Sequence, residues 1–314
     1  MNEEQKFERL ARKVKVKRWL AMIGLSIVTA LAVLLITYQV MKGLVRNQSS
    51  HLFEEMSIQS QIMSPNIEIS DQLLADDTNL KGKIVSHRYK KIDGYRVPWS
   101  NFEGRYGLFR RRILDDSTTD SDSMNGEQVF DRVTQNKIPT FYNRKYVKSS
   151  NSFTQTKVNE ISKLNQMKGY VAELAITFKK PMTYDEIKKL FPKNLRTEWY
   201  WIGMSGTGAG SNQSDQYIGF QADNGVLKSD YYKWFCKYLL EAPASLLGKH
   251  SNFNGSKFAK DYAKKYPKLS DAKFEGVIIT GKSENFKQIE NADWIENSSI
   301  GVTIKTVPYI KPEY

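Results

Sequence analysis

The chain has 314 residues and a formal net charge of +13, because 47 lysines and arginines outnumber 34 aspartates and glutamates. Its single cysteine, Cys236, excludes an intramolecular disulfide. The length allows a full hydrophobic core without cross-links, in one large domain or two smaller ones. The positive charges are dispersed, which favours a solvated surface. Binding to anionic wall polymers or lipid headgroups is the alternative.

The most informative segment is residues 19–41, which contain no charged side chain. An α-helix of this length spans about 34 Å, enough to cross the hydrocarbon core of a bilayer. A buried helix of a soluble protein would show a polar face, which this segment lacks. The sequence therefore predicts a transmembrane helix that begins at Trp19 and ends at Met41.

The basic residues that flank this segment predict its orientation. Lysines and arginines are frequent before Trp19, whereas only Lys42 and Arg46 follow closely after Met41. An excess of these residues marks the cytoplasmic side, so we expect a cytoplasmic N-terminus and an extracellular region 42–314. A cleaved signal peptide is the alternative. It fits less well, because the apolar run is too long and no small residues follow at a cleavage site. An uncleaved signal-anchor is predicted.

The cytoplasmic tail, residues 1–18, is too short to fold as a domain. Its apolar residues recur at helical spacing, which predicts a helix that continues into the membrane. An apolar stripe could bind a cytoplasmic protein, but a basic collar that fixes topology against anionic headgroups is the simpler interpretation. The candidate contact residues of the tail are three apolar and three basic side chains: Phe7, Leu10, Val14, Lys15, Lys17 and Arg18.

Two regions follow the span before the C-terminal part of the chain. Residues 42–65 are polar with isolated apolar residues, which predicts a stalk. From residue 66 to 150, segments rich in β-branched and aromatic residues alternate with Gly and Pro, which predicts a β-rich membrane-proximal region. The acidic stretch Asp115–Glu127 within it predicts a loop.

Residues 151–314 contain two strand–helix–strand patterns. In the first, Thr183 and Glu186 predict a capping box that opens the helix. An insertion at 204–270, with a glycine-rich loop and two helical runs, separates the patterns. Two β-α-β units in one domain predict a ferredoxin-like arrangement. The predicted fold class is α+β: a single transmembrane helix, a β-rich membrane-proximal region, and a C-terminal domain with duplicated β-α-β units and an insertion.

The segments YVAELAITFKKPMTYDEIKKLF, RTEWYWIGM and FEGVIITGKSENFKQI resemble the C-terminal domain of the bacterial sigma factor regulator family. The basic tail running into KRWLAMIGLSIVTALAVLL is similar to the N-terminal region of that family. The resemblance covers residues 1–50 and 155–310. It implies a membrane-anchored anti-sigma factor, that is, a negative regulator or co-regulator of an extracytoplasmic-function sigma factor. The outer domain would sense a signal or assemble with a partner, and the tail would relay the response.

One departure from an autonomous anti-sigma factor is the length of the tail. A sigma factor is occluded by a sizeable cytoplasmic helical domain, which residues 1–18 cannot form. The tail also has no cysteine or histidine for a zinc-dependent module. We therefore expect the sigma factor to be reached indirectly, through another membrane subunit.

Three short motifs resemble catalytic or binding signatures but lack a required residue. The glycines after residue 202 fit neither the dinucleotide-binding nor the phosphate-loop spacing, so a flexible loop is favoured, with anion binding by backbone amides as the alternative. Ser205 lies in Gly-x-Ser-x-Thr, which lacks the last glycine of a nucleophile elbow. In the acidic loop, a calcium register places Ser121 and Arg132 at its first and twelfth positions, where carboxylates are needed.

The remaining polar candidates also lack a ligand pattern. His51, His87 and His250 lie in unlike segments without metal-ligand spacing, so no metal or cofactor is expected. The basic run Arg110–Arg112 is a candidate phosphate-binding group. Strand alternation places only its first and third residues together, where a solvated face is the simpler interpretation.

Aromatic side chains supply the candidate partner surface. Trp199 and Trp201 share one face of a predicted strand, and Tyr231, Tyr232 and Trp234 lie on one predicted helix. If exposed, this set would stack on glycan rings or bind a protein. Burial between sheet and helix is the simpler interpretation.

We therefore expect a single-pass membrane regulatory protein rather than an enzyme, with no cofactor and, because the outer domain is extracellular, no nucleic-acid partner. The expected partners are the membrane, a sigma factor reached through another membrane subunit, and cell-wall polymer. The alternative is a membrane-anchored extracellular binding module for anionic envelope polymers, without a role in transcription. An envelope hydrolase would need an acid/base pair or a nucleophile that the sequence does not offer.

Overall fold

The computed structural model combines helices with antiparallel sheets. It describes residues 3–115, 128–145, 156–204, 206, 217–247, 249–250 and 253–313. The predicted acidic loop and most of the glycine-rich loop lie outside these residues. The α+β class is confirmed in its coarse form, as helices and sheets both contribute.

The first element, α1, is one helix of 60 residues, Glu3–Ile62, and is about 90 Å long. The tail, the apolar segment and most of the predicted stalk are continuous within it. No proline interrupts residues 3–62, and the helix ends shortly before Pro65, which disfavours helical geometry in the residue before it. Helix α1 is long and apolar enough to cross a bilayer, and every side chain from Trp19 to Val40 is exposed. A candidate membrane span therefore lies where the sequence predicts it.

Four strands after α1 form an antiparallel sheet in the order β1-β2-β3-β4. The strands are β1 Glu68–Thr78, β2 Lys81–Ile92, β3 Tyr95–Gly107 and β4 Arg111–Asp115. Short turns join them, as the sequence predicts. We call this unit the proximal sheet. Two short strands, β5 Val129–Phe130 and β6 Lys137–Ile138, pair beside it.

The last turns of α1 pack on the proximal sheet. Leu52 and Met56 are fully buried with Phe102 and Tyr106 of β3. Gly104 allows this close approach, since a Cβ atom there would lie 2.5 Å from the Met56 Sδ atom. The segment predicted as a stalk is thus helical, and one of its faces is buried against the strands that follow it.

The larger sheet has five strands in the order β13-β7-β12-β8-β9, and all neighbours are antiparallel. We call it the distal sheet. Its strands are β7 Tyr170–Thr183, β8 Leu195–Trp201, β9 Gly219–Gln221, β12 Lys273–Lys282 and β13 Ile295–Lys305. Two very short strands of the insertion, β10 Lys249–His250 and β11 Phe253–Asn254, pair with each other.

The C-terminal part contains several helices, of which the two longest form the helical runs predicted within the insertion. They are α2 Ile161–Leu164, α3 Tyr184–Ile187, α4 Ser229–Glu241, α5 Ala244–Leu247, α6 Gly255–Lys265 and a 3₁₀ helix, Ser283–Ile289. The capping box of Thr183 and Glu186 is present at α3. However, α3 ends well before Pro192, and the segment after β12 is 3₁₀ rather than α-helical. The strand order is therefore established, whereas a duplication of two full β-α-β units is not.

The main core lies on one face of the distal sheet, under α4 and α6, and it includes Ile58 and Ile62 of α1. Leu174 of β7 is fully buried in this core, while its neighbour Glu173 faces the proximal sheet. The two side chains lie on opposite faces of the strand, as alternation predicts, yet both are buried. Because α1 contributes to this core, the division of the outer region at residue 151 stays a prediction.

Replacing Leu174 tests the register of β7. Leu174→Asp places an unpaired charge in the main core and should lower the free energy of unfolding by at least about 3 kcal/mol. The measurement is denaturant unfolding of the full chain in detergent, followed by tryptophan fluorescence. Leu240→Asp is the matched control, because Leu240 is exposed on α4, and it should cost below about 1 kcal/mol. Equal costs at the two positions would contradict the register.

Candidate functional site

The tail residues predicted to make contacts form the exposed N-terminal part of α1. Phe7, Leu10 and Val14 are exposed and lie on one face of the helix. Lys15, Lys17 and Arg18 are exposed beside them. This face is continuous with the start of the apolar segment at Trp19 and Met22. The tail thus offers a partner one narrow apolar stripe bordered by cations.

Two of the five aromatic residues predicted as a partner surface belong to the interior of the distal sheet. Trp199 and Trp201 of β8 are buried in a cluster with Phe141 and Tyr217. The rings of Phe141 and Trp201 stack with centroids 4.6 Å apart, and the Phe141 amide donates to the Tyr217 hydroxyl at 3.1 Å. Both tryptophans are therefore buried, which is the interpretation that the sequence favours, because Phe141 and Tyr217 cover that face of the sheet.

The other three aromatic residues lie on different faces of α4, one buried and two exposed. Tyr232 is fully buried and its hydroxyl donates to the Tyr266 carbonyl at 2.8 Å, so it is not part of an exposed partner surface. Burial raises the pKa of the Tyr232 phenol and that of the nearby Cys236 thiol, which keeps the thiol protonated and unreactive. Tyr231 is 50% exposed and Trp234 is 54% exposed. Only these two remain available to a partner.

Tyr231 and Trp234 border a cleft of about 480 Å³ between α4, β9 and the end of α1. The cleft has an aromatic wall and a polar side, and its other lining residues are Gln61, Phe220, Gln221, Ala222, Asp223, Phe235 and Tyr238. The Lys237 ammonium lies 4.8 Å from the Trp234 ring centroid, and that of Lys228 lies 5.2 Å from the centroid of Tyr231. Lys228 is also paired with Asp223, and the Lys237 ammonium lies 3.9 Å from Glu241 Oε1, so both cations are partly neutralised. The aromatic faces, amides and remaining positive charge suit a polar ligand that carries hydroxyl groups or negative charge.

The sequence analysis missed Gln61, Gln221 and Asp223 because they come from separate parts of the chain. Gln61 is in the last turn of α1, whereas Gln221 ends β9 and Asp223 follows it. Their sequence neighbours carry no binding motif. Because Gln61 lines the cleft, a ligand bound there contacts the same helix that carries the apolar segment.

A second feature, a buried ion pair, joins the two sheets. The Lys90 ammonium of β2 bonds both carboxylate oxygens of Glu173 of β7 at 2.9 Å, and both side chains are almost completely buried. The ammonium also lies 4.5 Å from the Trp99 ring centroid. A charge at this depth is tolerated only when it is paired and fully hydrogen-bonded.

The remaining bonding capacity of the Glu173 carboxylate is used by two further segments. The side-chain amide of Asn66, just after α1, donates to one oxygen at 2.8 Å. The backbone amide of Val302 in β13 donates to the other at 3.2 Å. Gly301 has to be glycine, because a Cβ atom there would lie 2.3 Å from Glu173 Oε2. We call Asn66, Lys90, Glu173 and Val302 the junction. It fixes the end of α1 to both sheets.

The described residues do not bring together a metal site. Among them, no group of three or more His, Cys, Asp or Glu side chains lies close enough to hold an ion. His51 is exposed on α1, and the His87 ring bonds Asp71 at 2.6 Å across β1 and β2. Arg111 bonds Glu55 of α1, whereas Arg110 and Arg112 are exposed.

The comparisons with known proteins match both ends of this architecture. A family model described as sigma factor regulator N-terminal matches residues 8–97, and one described as sigma factor regulator C-terminal matches residues 164–302. Lys90 of the junction lies in the first match and Glu173 in the second. No curated protein and no solved structure matches the chain.

Breaking the buried ion pair tests the importance of the junction. Glu173→Gln and Lys90→Met each leave a buried polar group without its partner, and each should lower the free energy of unfolding by about 3–5 kcal/mol. The double variant should cost less than the sum of the two single variants, since the surviving charge is removed. Denaturant unfolding of the full chain measures all three values.

The control is the exposed ion pair Lys257–Asp261 of α6, whose Nζ–Oδ2 distance is 2.6 Å. Asp261→Asn should cost below about 1 kcal/mol, because exposed pairs are screened by water. Costs at Glu173 and Lys90 that are as small as the control, or strictly additive, would show that the junction contributes nothing specific.

Proposed function

Because the chain belongs to the sigma factor regulator family, whose members are regulatory rather than enzymatic, we propose that it is a membrane-anchored negative regulator or co-regulator of an extracytoplasmic-function sigma factor. The observation that carries this proposal is the continuity of α1. One helix contains the basic tail, the apolar segment and the turns that pack on both sheets.

The helix spans the cell membrane once as an uncleaved signal-anchor, with the tail in the cytoplasm. The exposed apolar surface from Trp19 to Val40 supports the span, and the bases before it support the orientation. The sheets then lie outside the cell, next to the membrane. External protease on intact cells would digest this outer region and leave the tail protected.

The outer region senses a signal or assembles with a partner, and α1 relays the resulting change to the tail. Residues Val45 to Ile62 of α1 are buried on one side against the proximal sheet and the main core. A rearrangement of the sheets therefore has to move the helix or strain these contacts. Because the helix is unbroken, a tilt or rotation of its outer end changes the position of the tail.

The sigma factor is reached through a second membrane subunit. The apolar stripe of Phe7, Leu10 and Val14 runs into the start of the apolar segment at Trp19. The span and tail together offer a longer contact to another transmembrane protein.

The strand order β13-β7-β12-β8 supports a ferredoxin-like arrangement of the outer domain, with its helices shortened.

A second candidate function is favoured by the cleft beside α4. Its exposed aromatic rings, with Lys228 and Lys237 against them, suit an anionic envelope polymer. In this case the protein is a membrane-anchored binding module without a role in transcription. The two functions differ in what deletion of the gene changes.

Deleting the gene should raise transcription from an envelope-stress regulon, measured with a reporter or by RNA sequencing. Replacing residues 19–41 by an unrelated apolar helix of equal length should have the same effect, because the specific contact with the second subunit is lost. The matched control carries the native span and Trp234→Ala, which removes an exposed ring and leaves the span intact.

Full repression by the swapped-span protein would contradict contact through the span. Unchanged transcription after deletion, together with altered retention of wall polymer, would favour the binding-module function. Loss of that retention in Trp234→Ala would then locate the polymer in the cleft.

A further inference from the structure

The turns at one end of the proximal sheet combine an exposed aromatic side chain with exposed cations. The β3–β4 turn consists of Leu108–Arg110, and the Phe109 side chain in it is 85% exposed. The β1–β2 turn lies beside it, since a Cβ atom at Gly107 would contact the Leu80 carbonyl oxygen at 3.8 Å. Leu80 is also exposed. A single exposed ring is common on a protein surface, so the position of these turns relative to the apolar segment decides what Phe109 contacts.

Contacts at two levels show that α1 runs along the proximal sheet. Near the turns, the Arg111 guanidinium bonds Gln48 at 3.1 Å and Glu55 at 2.7 Å. At the other end of the sheet, the Asn66 amide lies against Lys91 and Glu173. Helix and strands are therefore aligned, with the lower-numbered residues of α1 next to the β3–β4 turn.

This alignment places the turns at the end of the sheet that faces the apolar segment. Gln48 lies seven residues after Met41, a distance of about 10 Å along the helix. Val45, four residues after Met41 and about 6 Å further along the helix, is buried in one cluster with Leu108 of the β3–β4 turn. The turn thus reaches close to the level at which the apolar segment ends.

A row of cations crosses the proximal sheet just above the turns. Lys83, Arg105 and Arg112 are register partners on three adjacent strands. They lie on the face away from α1, because Gly104 and Tyr106 on the other face contact the helix or its cluster. Like charges directly opposite each other are destabilising.

The acidic neighbours of this row neutralise it only in part. Asp76 pairs with Lys83 at 3.1 Å, and Glu103 lies 3.6 Å from Arg105. Both contacts are partly exposed and therefore weak. A surface of anionic phosphates would offset the remaining repulsion at Arg105 and Arg112.

We propose that this end of the proximal sheet is a second membrane contact: Phe109 lies in the interface of the outer leaflet, and Lys83, Arg105 and Arg112 bind anionic lipid headgroups. Aromatic residues favour this depth, and cations above them favour the headgroups. The inference rests on the proposed span of α1. It adds that the outer region is held upright on the bilayer at two points rather than one.

The test places an environment-sensitive fluorophore at single cysteines in the full chain, reconstituted in vesicles that contain anionic lipid and lipids spin-labelled either near the headgroups or at the middle of the acyl chains. Buried Cys236 is first replaced by alanine. The labelled variants are Phe109→Cys, Tyr309→Cys and Leu31→Cys. Tyr309 is the matched control, because it is also 85% exposed but lies near the β2–β3 turn, where the Glu313 amide bonds the Gly94 carbonyl.

We expect headgroup spin labels to quench the fluorophore at position 109, acyl-chain spin labels to quench the one at position 31, and neither label to change the one at position 309. Quenching at 31 with none at 109 would refute the membrane contact while the span of α1 stands. Absence of quenching at 31 would refute the span, and this inference with it.

The charge component has its own test. Arg105→Gln combined with Arg112→Gln should reduce quenching at position 109 in vesicles that contain anionic lipid. The same pair of substitutions should have little effect in vesicles of zwitterionic lipid alone. Equal quenching with and without the two arginines in anionic vesicles would refute the headgroup contact.

Discussion

The buried carboxylate of Glu173 is the point at which three parts of the chain meet. It accepts hydrogen bonds from Lys90 of the proximal sheet, from Asn66 at the end of α1, and from the Val302 amide of the distal sheet. An ionised group at this depth is stable only while all these donors stay in place. The Glu173 side chain therefore couples the end of α1 to both sheets, in addition to the apolar packing of the helix.

This coupling adds to the packing contacts that hold the long helix to both sheets. Outside the apolar segment, α1 packs on the proximal sheet through Leu52 and Met56 and on the main core through Ile58 and Ile62. A cleft with exposed Trp234 lies against the same end of the helix. A ligand or partner bound there contacts the element that continues into the tail.

The sequence predicts elements well where local chemistry decides, and poorly where distant segments meet. The uncharged run, the β-rich composition after residue 66 and the capping box at Thr183 all follow from neighbouring residues. Alternation places Trp199 and Trp201 on one face, but it cannot reveal that Phe141 covers that face. Lys90 lies in a strand with several basic residues, a composition typical of a solvated face, and its partner Glu173 is 83 residues away in sequence. The junction thus depends on tertiary contacts that no local pattern encodes.

Hydrogen exchange on the full chain in nanodiscs tests most directly whether the junction holds α1 to the sheets. Asn66 has a φ of 53°, so Asn66→Gly removes its bond to Glu173 without straining the backbone. We predict faster exchange in residues 45–62 of α1 and in β2, with α6 unchanged, because local opening no longer has to break that bond. Unchanged protection of residues 45–62, or an equal increase in α6, would contradict the claim that the junction fixes the helix.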